Sequence, residues 1–316
     1  MTRAAAHKIE RIAVIGAGVI GSSWAAYFLS RGMDVRVWDP DPDTETRVRA
    51  LVARAWPSFE RLGLADGAAP DRIGFFSDAG AACRDAEMVQ ESAPERLELK
   101  RDLLATMEAV LAPDAVIASS TSYFPPSEMQ AGMSNPERLG LGHPFNPPHL
   151  VPLVEVLGGT QTDPATIDWL MDFYRAIGRY PIRLHVEIPG HLVNRLQIAL
   201  WDEAAKLVGE GVADAADVDA ALVHGPGLRW AVMGPYLTMQ LANAGGMAGA
   251  MAHFGPIAEH YAERDGQATL RHDPAVTELI AEGIEKRARG RSVDELAAAR
   301  DDMLTDVLEV LAKYDR

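Results

Sequence analysis

A glycine pattern near the start of the chain constrains the fold most strongly. The apolar run Arg11–Ile15 is of the strand type, and Gly16-Ala-Gly18-Val-Ile-Gly21 follows it at once, before a helical pattern. In a strand–turn–helix unit the first glycine allows the tight turn, the second lets the backbone approach a pyrophosphate, and the third lets the helix pack closely on the strand. The N-terminus of the helix then faces the phosphates. The alternative is a glycine-rich turn without a ligand. The predicted dinucleotide contacts are Gly16, Gly18, Val19, Ile20 and Gly21.

The next strand pattern indicates which dinucleotide is bound. Asp34–Trp38 reads as a second strand, and Asp39 follows it at the place where this fingerprint puts an acidic residue on the ribose hydroxyls. A carboxylate there disfavours a 2'-phosphate. Arg36 lies on the same strand before its tip and weakens this inference only slightly. The expected cofactor is therefore NAD rather than NADP.

Strand and helix patterns alternate through the first part of the chain and then stop. The predicted strands are Arg11–Ile15, Asp34–Trp38, Ile73–Phe76, Ala86–Glu91, Ala115–Ala118, Leu139–Gly142, Leu153–Val156 and Tyr180–His185. After Pro189-Gly190 the patterns are helical. The predicted later helices are Leu192–Gly209, Ala213–Val223, Pro274–Ala288 and Val293–Tyr314. We predict an α/β Rossmann-type doubly wound sheet over residues 1–187, followed by an all-helical domain over residues 188–316.

Composition excludes several classes of function. The formal net charge of -15 argues against non-specific nucleic-acid binding, which needs a basic surface. The single cysteine, Cys83, excludes an intrachain disulfide and a cysteine-based metal site, and it fits a cytoplasmic protein. No run approaches the ~20 apolar residues of a membrane span. The partner is expected to be a small molecule. The Ala-, Gly- and Met-rich segment 234–254 favours burial between subunits, so a homodimer is expected.

Two segments carry the residues expected to do chemistry. His143 and Glu155 stand twelve residues apart, separated by a Pro-rich turn and an apolar run, so they could meet as an oriented acid/base pair. Ser119-Ser-Thr-Ser122 ends a strand of buried type, at the edge where open α/β sheets bind ligands. The alternative for these hydroxyls is a helix cap.

Taken together, these motifs resemble the 3-hydroxyacyl-CoA dehydrogenase family across almost the whole chain. The ordered set is Gly16-x-Gly18-x-x-Gly21, Asp39, Glu95, Ser119–Ser122, His143-Pro-x-Asn-Pro147, Glu155 and Gly190-x-x-x-Asn194-Arg195. Within the family the chain looks most like the short-substrate branch that includes L-carnitine dehydrogenases, lambda-crystallin and L-gulonate 3-dehydrogenase. The segments that carry that closer resemblance are Gln90–Arg101, Ser119–Ser122 and Gly227–Ala231.

The resemblance implies roles for particular residues. His143 resembles the general acid/base and Glu155 the carboxylate that orients it, while Ser122 and Asn194 match residues that hold the substrate oxygen and the reacting centre. Glu95, Lys100 and Ser120 match positions beside the cofactor, although Glu95 and Lys100 could instead belong to a surface helix start. Five other histidines are expected to be structural or exposed: His149, His185, His191, His224 and His253.

The resemblance also bears on the substrate. It implies NAD-dependent oxidation of the 3-hydroxyl of a small hydroxy acid, with L-carnitine first and L-gulonate, 3-hydroxybutyrate or a 3-hydroxyacyl-CoA as alternatives. A carboxylate needs a cation, for which Arg229 is the candidate unless it forms a salt bridge. A quaternary ammonium needs aromatic faces. The candidate rings, each of which could instead belong to the core, are Phe145, Trp201, Trp230, Tyr123 and Phe254. A protein of a different class, a crystallin-like NAD-binding protein without turnover, remains an alternative.

Overall fold

A computed structural model describes residues 5–265, 278 and 288–313. In chain order the strands are β1 (Arg11–Ile15), β2 (Asp34–Trp38), β3 (Ile73–Phe75), β4 (Met88–Glu91), β5 (Val116–Ser119), β6 (Leu139–Pro144), β7 (Leu153–Gly158) and β8 (Tyr180–Arg183). Within the described residues they form one eight-stranded sheet in the order β3-β2-β1-β4-β5-β6-β7-β8. Neighbours are parallel, except that β6 and β7 are antiparallel.

The helices divide into those that cover the sheet and those that follow it. The first group is α1 (Val19–Ser30), α2 (Thr44–Leu62), α3 (Ala79–Cys83), α4 (Leu97–Glu108), α5 (Pro126–Met129) and α6 (Pro164–Ala176). The second group is α7 (Val193–Gly209), α8 (Ala215–His224), α9 (Pro226–Trp230), α10 (Pro235–Leu241), α11 (Gly246–Asp265) and α12 (Val293–Ala312). The predicted fold class, a Rossmann sheet followed by helices, is confirmed. The helix predicted over Pro274–Ala288 lies outside the described residues, except for positions 278 and 288.

Helices pack on both faces of the sheet, which explains why its central strands are buried along their whole length. All four residues of β4 and of β5 are buried, as parallel strands covered on both sides require. One core contains the aromatic stack of Trp24 on Phe28, with ring centroids 5.1 Å apart. A second core on the other face includes Leu104 and Met107 of α4. The sheet is therefore a rigid platform whose strand ends carry polar groups.

The connection between β6 and β7 is tied down at several points. The hydroxyl oxygen of Ser23 in α1 lies within hydrogen-bond distance of Nδ1 of His149, at 2.7 Å, and accepts the backbone N–H of the same residue at 2.9 Å. Arg179 donates to the carbonyls of Pro148 and Val151, and its guanidinium lies 3.5 Å from the ring centroid of Tyr27. The connection contains a cis Asn146–Pro147 peptide bond. These bonds hold the two strands in register.

The chain divides into two compact units, residues 1–200 and 201–316. The first contains the whole sheet and the start of α7; the second contains the rest of α7 and the later helices. The domain boundary expected near residue 188 stays a prediction. In the described part of the chain, no helix is long and apolar enough to cross a membrane.

Candidate active site

The central feature of the site is a buried pair formed by His143 and Glu155. The antiparallel register places the two residues directly opposite each other on β6 and β7. Their side chains share one face, and Nδ1 of His143 lies 2.6 Å from a carboxylate oxygen of Glu155. The exposed fraction is 4% for His143 and 0% for Glu155. The spacing that suggested an oriented pair in the sequence is therefore realised as a cross-strand contact.

The second oxygen of Glu155 holds the start of α7. It accepts the backbone N–H groups of Leu192 and Val193, each at 3.0 Å. Burial disfavours the charged form of Glu155, but the bonds from His143 and from these two amides outweigh burial and hold its pKa below the usual value. The carboxylate is therefore ionised at neutral pH.

The ionised Glu155 fixes the tautomer of His143. Because a carboxylate can only accept, the histidine proton lies on Nδ1 and the lone pair of the neutral ring lies on Nε2. Two rings flank the imidazole: Phe145 is edge-on with its centroid 5.3 Å away, and His191 is tilted with its centroid 5.2 Å away. A histidine with this tautomer can accept a proton at Nε2.

The loops after β4 and β5 bring a carboxylate and hydroxyl groups to the same edge of the sheet. Glu95 accepts the backbone N–H of Ser122 and, at 2.8 Å, the hydroxyl of Thr121. Ser120 is bonded to Ser92 and to the buried amide of Gln90, at 2.9 Å in both cases, so its hydroxyl is committed to the protein. Ser122 is exposed, and its hydroxyl has no hydrogen-bond partner among the described residues. Of the serine and threonine hydroxyls that follow β5, that of Ser122 is free for a ligand, whereas those of Ser120 and Thr121 are bonded within the protein.

Lys100 lies deeper than the sequence suggested. Its side chain is 1% exposed, and its ammonium donates to Glu91 at 2.8 Å and to the carbonyl of Ala93 at 2.9 Å. Glu95, whose side chain is 40% exposed, lies 3.6 Å from the same ammonium. Glu95 can therefore reach a ligand directly, whereas the buried Lys100 holds the loop after β4 through Glu91 and the carbonyl of Ala93.

The glycine turn has the shape that a dinucleotide requires. A Cβ on Gly21 would lie 1.8 Å from the carbonyl oxygen of Gly16, and one on Gly16 would lie 2.6 Å from the backbone of Ala93. A Cβ on Gly18 would meet nothing within 4 Å. Gly16 and Gly21 thus allow close packing, while Gly18 leaves open space beside the N-terminus of α1. Val19, 71% exposed, and the half-buried Ile20 form the first turn of that helix.

Asp39 stands at the carboxyl end of β2, beside the glycine turn. One of its oxygens accepts the N–H of Ala17 at 2.7 Å, and the other accepts the N–H of Asp41 at 3.0 Å. Arg36 is committed elsewhere, since it donates to the carbonyls of Ala81 and Ala82 at 2.8 Å. It is thus not free to bind a 2'-phosphate.

The remaining predicted residues are spread over the chain. Asn194 lies in the same compact unit as His143, on the first turn of α7, half buried and without a side-chain hydrogen bond among the described residues. Four predicted substrate residues lie in the helical unit, where each is exposed: Trp201, Arg229, Trp230 and Phe254. The sequence interpretation missed His191. Its position next to Gly190 was visible, but its contact with Thr121, seventy residues away, was not.

Comparison with known proteins places the chain in a family. Residues 11–188 match the model of the 3-hydroxyacyl-CoA dehydrogenase NAD-binding domain, and residues 190–295 match that of the C-terminal domain. A curated L-carnitine dehydrogenase of Streptomyces griseus is 50% identical over 98% of this chain and 92% of its own length. One from Streptomyces coelicolor is 48% identical over 96% of each chain.

A solved structure shows the same architecture. It is a 5-formyl-3-hydroxy-2-methylpyridine 4-carboxylic acid 5-dehydrogenase, described as an NAD+-dependent dismutase. It matches with a TM-score of 0.71 and 30% identity, over 96% of this chain and 99% of the other. Both family models together span nearly the whole chain, and the fold agrees. The chain therefore belongs to the 3-hydroxyacyl-CoA dehydrogenase family.

Proposed function

We propose that this protein oxidises the 3-hydroxyl group of L-carnitine to a ketone with NAD as the cofactor. The observation that carries the reaction type is the buried His143–Glu155 pair, with Nδ1 and the carboxylate 2.6 Å apart. The choice of substrate is supported by the curated relatives named L-carnitine dehydrogenase, at 50% and 48% identity over almost the whole chain.

The proposed mechanism follows from the tautomer of His143. Its Nε2 lone pair takes the hydroxyl proton as the carbonyl forms, and the ring becomes an imidazolium. Glu155 stabilises that cation because its bond to Nδ1 becomes charge-assisted on both sides. In the reverse direction the same ring returns the proton. The free hydroxyl of Ser122 and the amide of Asn194 are proposed to hold the substrate oxygen.

The residues around the glycine turn fit NAD. The open space at Gly18 and the N-terminus of α1 suit a pyrophosphate, and Asp39 suits the ribose hydroxyls. Glu95 is proposed to reach the second ribose from the loop after β4. When bound, NAD supplies the acceptor for the hydride that leaves the substrate carbon. The protein supplies the base, His143, and the carboxylate that orients its ring, Glu155.

We also propose which residues contact the substrate and how the protein assembles. Phe145 already stands beside His143, so an aromatic ring is present next to the reacting centre, and a cation–π contact with such a ring contributes ~0.5–2 kcal/mol. Trp201, Trp230, Phe254 and the carboxylate anchor Arg229 stay predicted contacts. A homodimer is supported by the exposed apolar side chains of the helical unit, such as Val212 and Tyr236, 66% and 48% exposed. The cytoplasmic location stays a prediction.

One set of assays tests the proposal. NADH formation is followed by absorbance with L-carnitine, L-gulonate, 3-hydroxybutyrate and a 3-hydroxyacyl-CoA, and with NADP replacing NAD as the cofactor control. We expect the highest kcat/KM for L-carnitine with NAD. A higher kcat/KM for the CoA ester would contradict the small-acid substrate. Tight NAD binding without turnover of any of these compounds would favour the non-catalytic alternative.

A further inference from the structure

A second histidine lies against the catalytic pair in an unusual state. His191 is 0% exposed, yet its Nδ1 has no hydrogen-bond partner among the described residues. Its backbone has a φ of 52°, in the left-handed region, directly after Gly190 with a φ of 76°. A buried polar atom without a partner and a left-handed residue with a side chain both cost free energy. Such features concentrate at functional sites, which makes their proximity to His143 informative.

The hydrogen-bond partner of His191 fixes its tautomer. Nε2 lies 3.0 Å from the carbonyl oxygen of Thr121, and a carbonyl can only accept, so the proton is on Nε2. Nδ1 then carries the buried lone pair. Desolvation, the largest effect, lowers the pKa of His191, and the positive charge that forms on His143 lowers it further. The ring is therefore neutral at neutral pH.

The same residue connects the three parts of the proposed site. Its side chain holds the carbonyl of Thr121, which immediately precedes the free hydroxyl of Ser122. Its chain neighbours Leu192 and Val193 donate to Glu155. Its ring lies against the ring of His143, with centroids 5.2 Å apart. A displacement of His191 would thus change the positions of the base His143, of Glu155 and of the loop that carries Ser122.

We infer that His191 is a positioning residue of the catalytic site, acting through its bond to Thr121 as a neutral ring. This inference rests on the proposed function for its kinetic test. Neutrality matters because a charged His191 would stand beside the imidazolium that forms on His143 during oxidation. The other charged groups that act on His191 are Glu155 on β7 and Glu95 after β4, and both favour its protonated form.

The kinetic test compares two amide side chains at this position. In His191→Gln the amide nitrogen occupies the place of Nε2 and can still donate to Thr121, without a titratable ring. In His191→Asn the amide is one methylene shorter and cannot reach, while asparagine tolerates a left-handed backbone well. His185→Gln, at an exposed histidine of the same segment, is the control for histidine removal.

We expect the Asn variant to lose kcat about tenfold, the effect of roughly one lost hydrogen bond, with KM and the Kd for NAD changed less than about twofold. The Gln variant should recover most of that kcat. Equal kcat for the Asn variant and the wild-type protein would overturn the inference. So would a Gln variant as slow as the Asn variant, because the bond to Thr121 would then not be what matters.

A measurement without substrate separates this inference from the proposed function. Imidazole ¹⁵N NMR of the wild-type protein, with His191 assigned from the signal missing in the Gln variant, reports the tautomer directly. We expect a neutral ring protonated at Nε2 at neutral pH, because burial holds the pKa of His191 below its ordinary value. A charged ring at neutral pH, or a proton on Nδ1, would overturn the inference even in an active enzyme. Failure to oxidise any 3-hydroxy acid, with the expected NMR result, would remove only the proposed function.

Discussion

Replacing Glu155 by glutamine tests the central pair with almost no change of volume. In the native protein the carboxylate accepts from three donors: Nδ1 of His143 at 2.6 Å and the N–H groups of Leu192 and Val193 at 3.0 Å. A glutamine has one oxygen and one NH₂ group, so it cannot serve both sides. If its oxygen faces His143, its NH₂ meets two backbone donors. If its oxygen faces the backbone, its NH₂ meets His143.

The second orientation, with the glutamine oxygen facing the backbone, satisfies more hydrogen bonds and is therefore favoured. The ring can form one bond in either orientation, so the two backbone bonds of ~0.5–1.5 kcal/mol each favour the second orientation by ~1–3 kcal/mol in total. Its NH₂ group then requires a lone pair on Nδ1, which moves the proton of His143 to Nε2. That tautomer cannot accept a proton from a substrate hydroxyl. Because general base catalysis typically contributes about 10²–10⁴-fold, kcat should fall by at least ~100-fold. The start of α7 keeps its bonds, so the thermal midpoint should fall only a little.

The assay is NADH formation at saturating L-carnitine and NAD, combined with the Kd for NAD from calorimetry. Glu187→Gln is a matched control, because Glu187 also accepts from a backbone N–H and a hydroxyl, both of Ser127. We expect it to keep wild-type kcat. A Glu155→Gln variant that binds NAD normally and retains more than about a tenth of wild-type kcat would refute the tautomer mechanism.

The remaining predictions concern the cofactor turn, acid stability and the thiol. Gly18→Ala should leave the thermal midpoint nearly unchanged but raise the Kd for NAD, whereas Gly21→Ala should lower the midpoint because its Cβ would lie 1.8 Å from a carbonyl oxygen; calorimetry and thermal melts separate the two. Burial lowers the pKa of His149 and His191, so below about pH 6.5 the unfolded chain binds more protons than the folded protein. The free energy of unfolding should therefore decrease as the pH is lowered through this range. Denaturant titrations at several pH values would show a flat profile if this is wrong. Burial raises the pKa of Cys83 to about 12, so native protein should not react with a thiol reagent until it is unfolded.

The parts of the fold that the sequence predicts best are those set by local patterns. The glycine turn and the strands on either side of it follow from apolar runs and spacing alone. The His143–Glu155 contact was predictable because only twelve residues separate the two, and a hairpin-like connection brings them together. The antiparallel pairing of β6 and β7 turns that spacing into a direct cross-strand contact.

The parts that the sequence left open depend on long-range burial. Lys100 was expected beside the cofactor. In the structure its ammonium is buried and forms an ion pair with Glu91, at the end of β4. Nothing in the local pattern around Glu91 distinguishes it from any other strand end. His191 was interpreted as structural or exposed. The hydrogen-bond partner of its ring among the described residues, the carbonyl of Thr121, lies seventy residues earlier. Contacts of this kind become visible only when the sheet is assembled.

The two bonds of Asp39 link cofactor choice to the shape of the phosphate turn. The carboxylate proposed to select NAD through its ribose also holds the N–H of Ala17, between Gly16 and Gly18. Redesign towards NADP would begin by removing this acid, and the same substitution would release the turn. The first round of such engineering should therefore weaken affinity for both dinucleotides. A new acceptor for the Ala17 amide would have to be introduced before a 2'-phosphate could be accommodated productively.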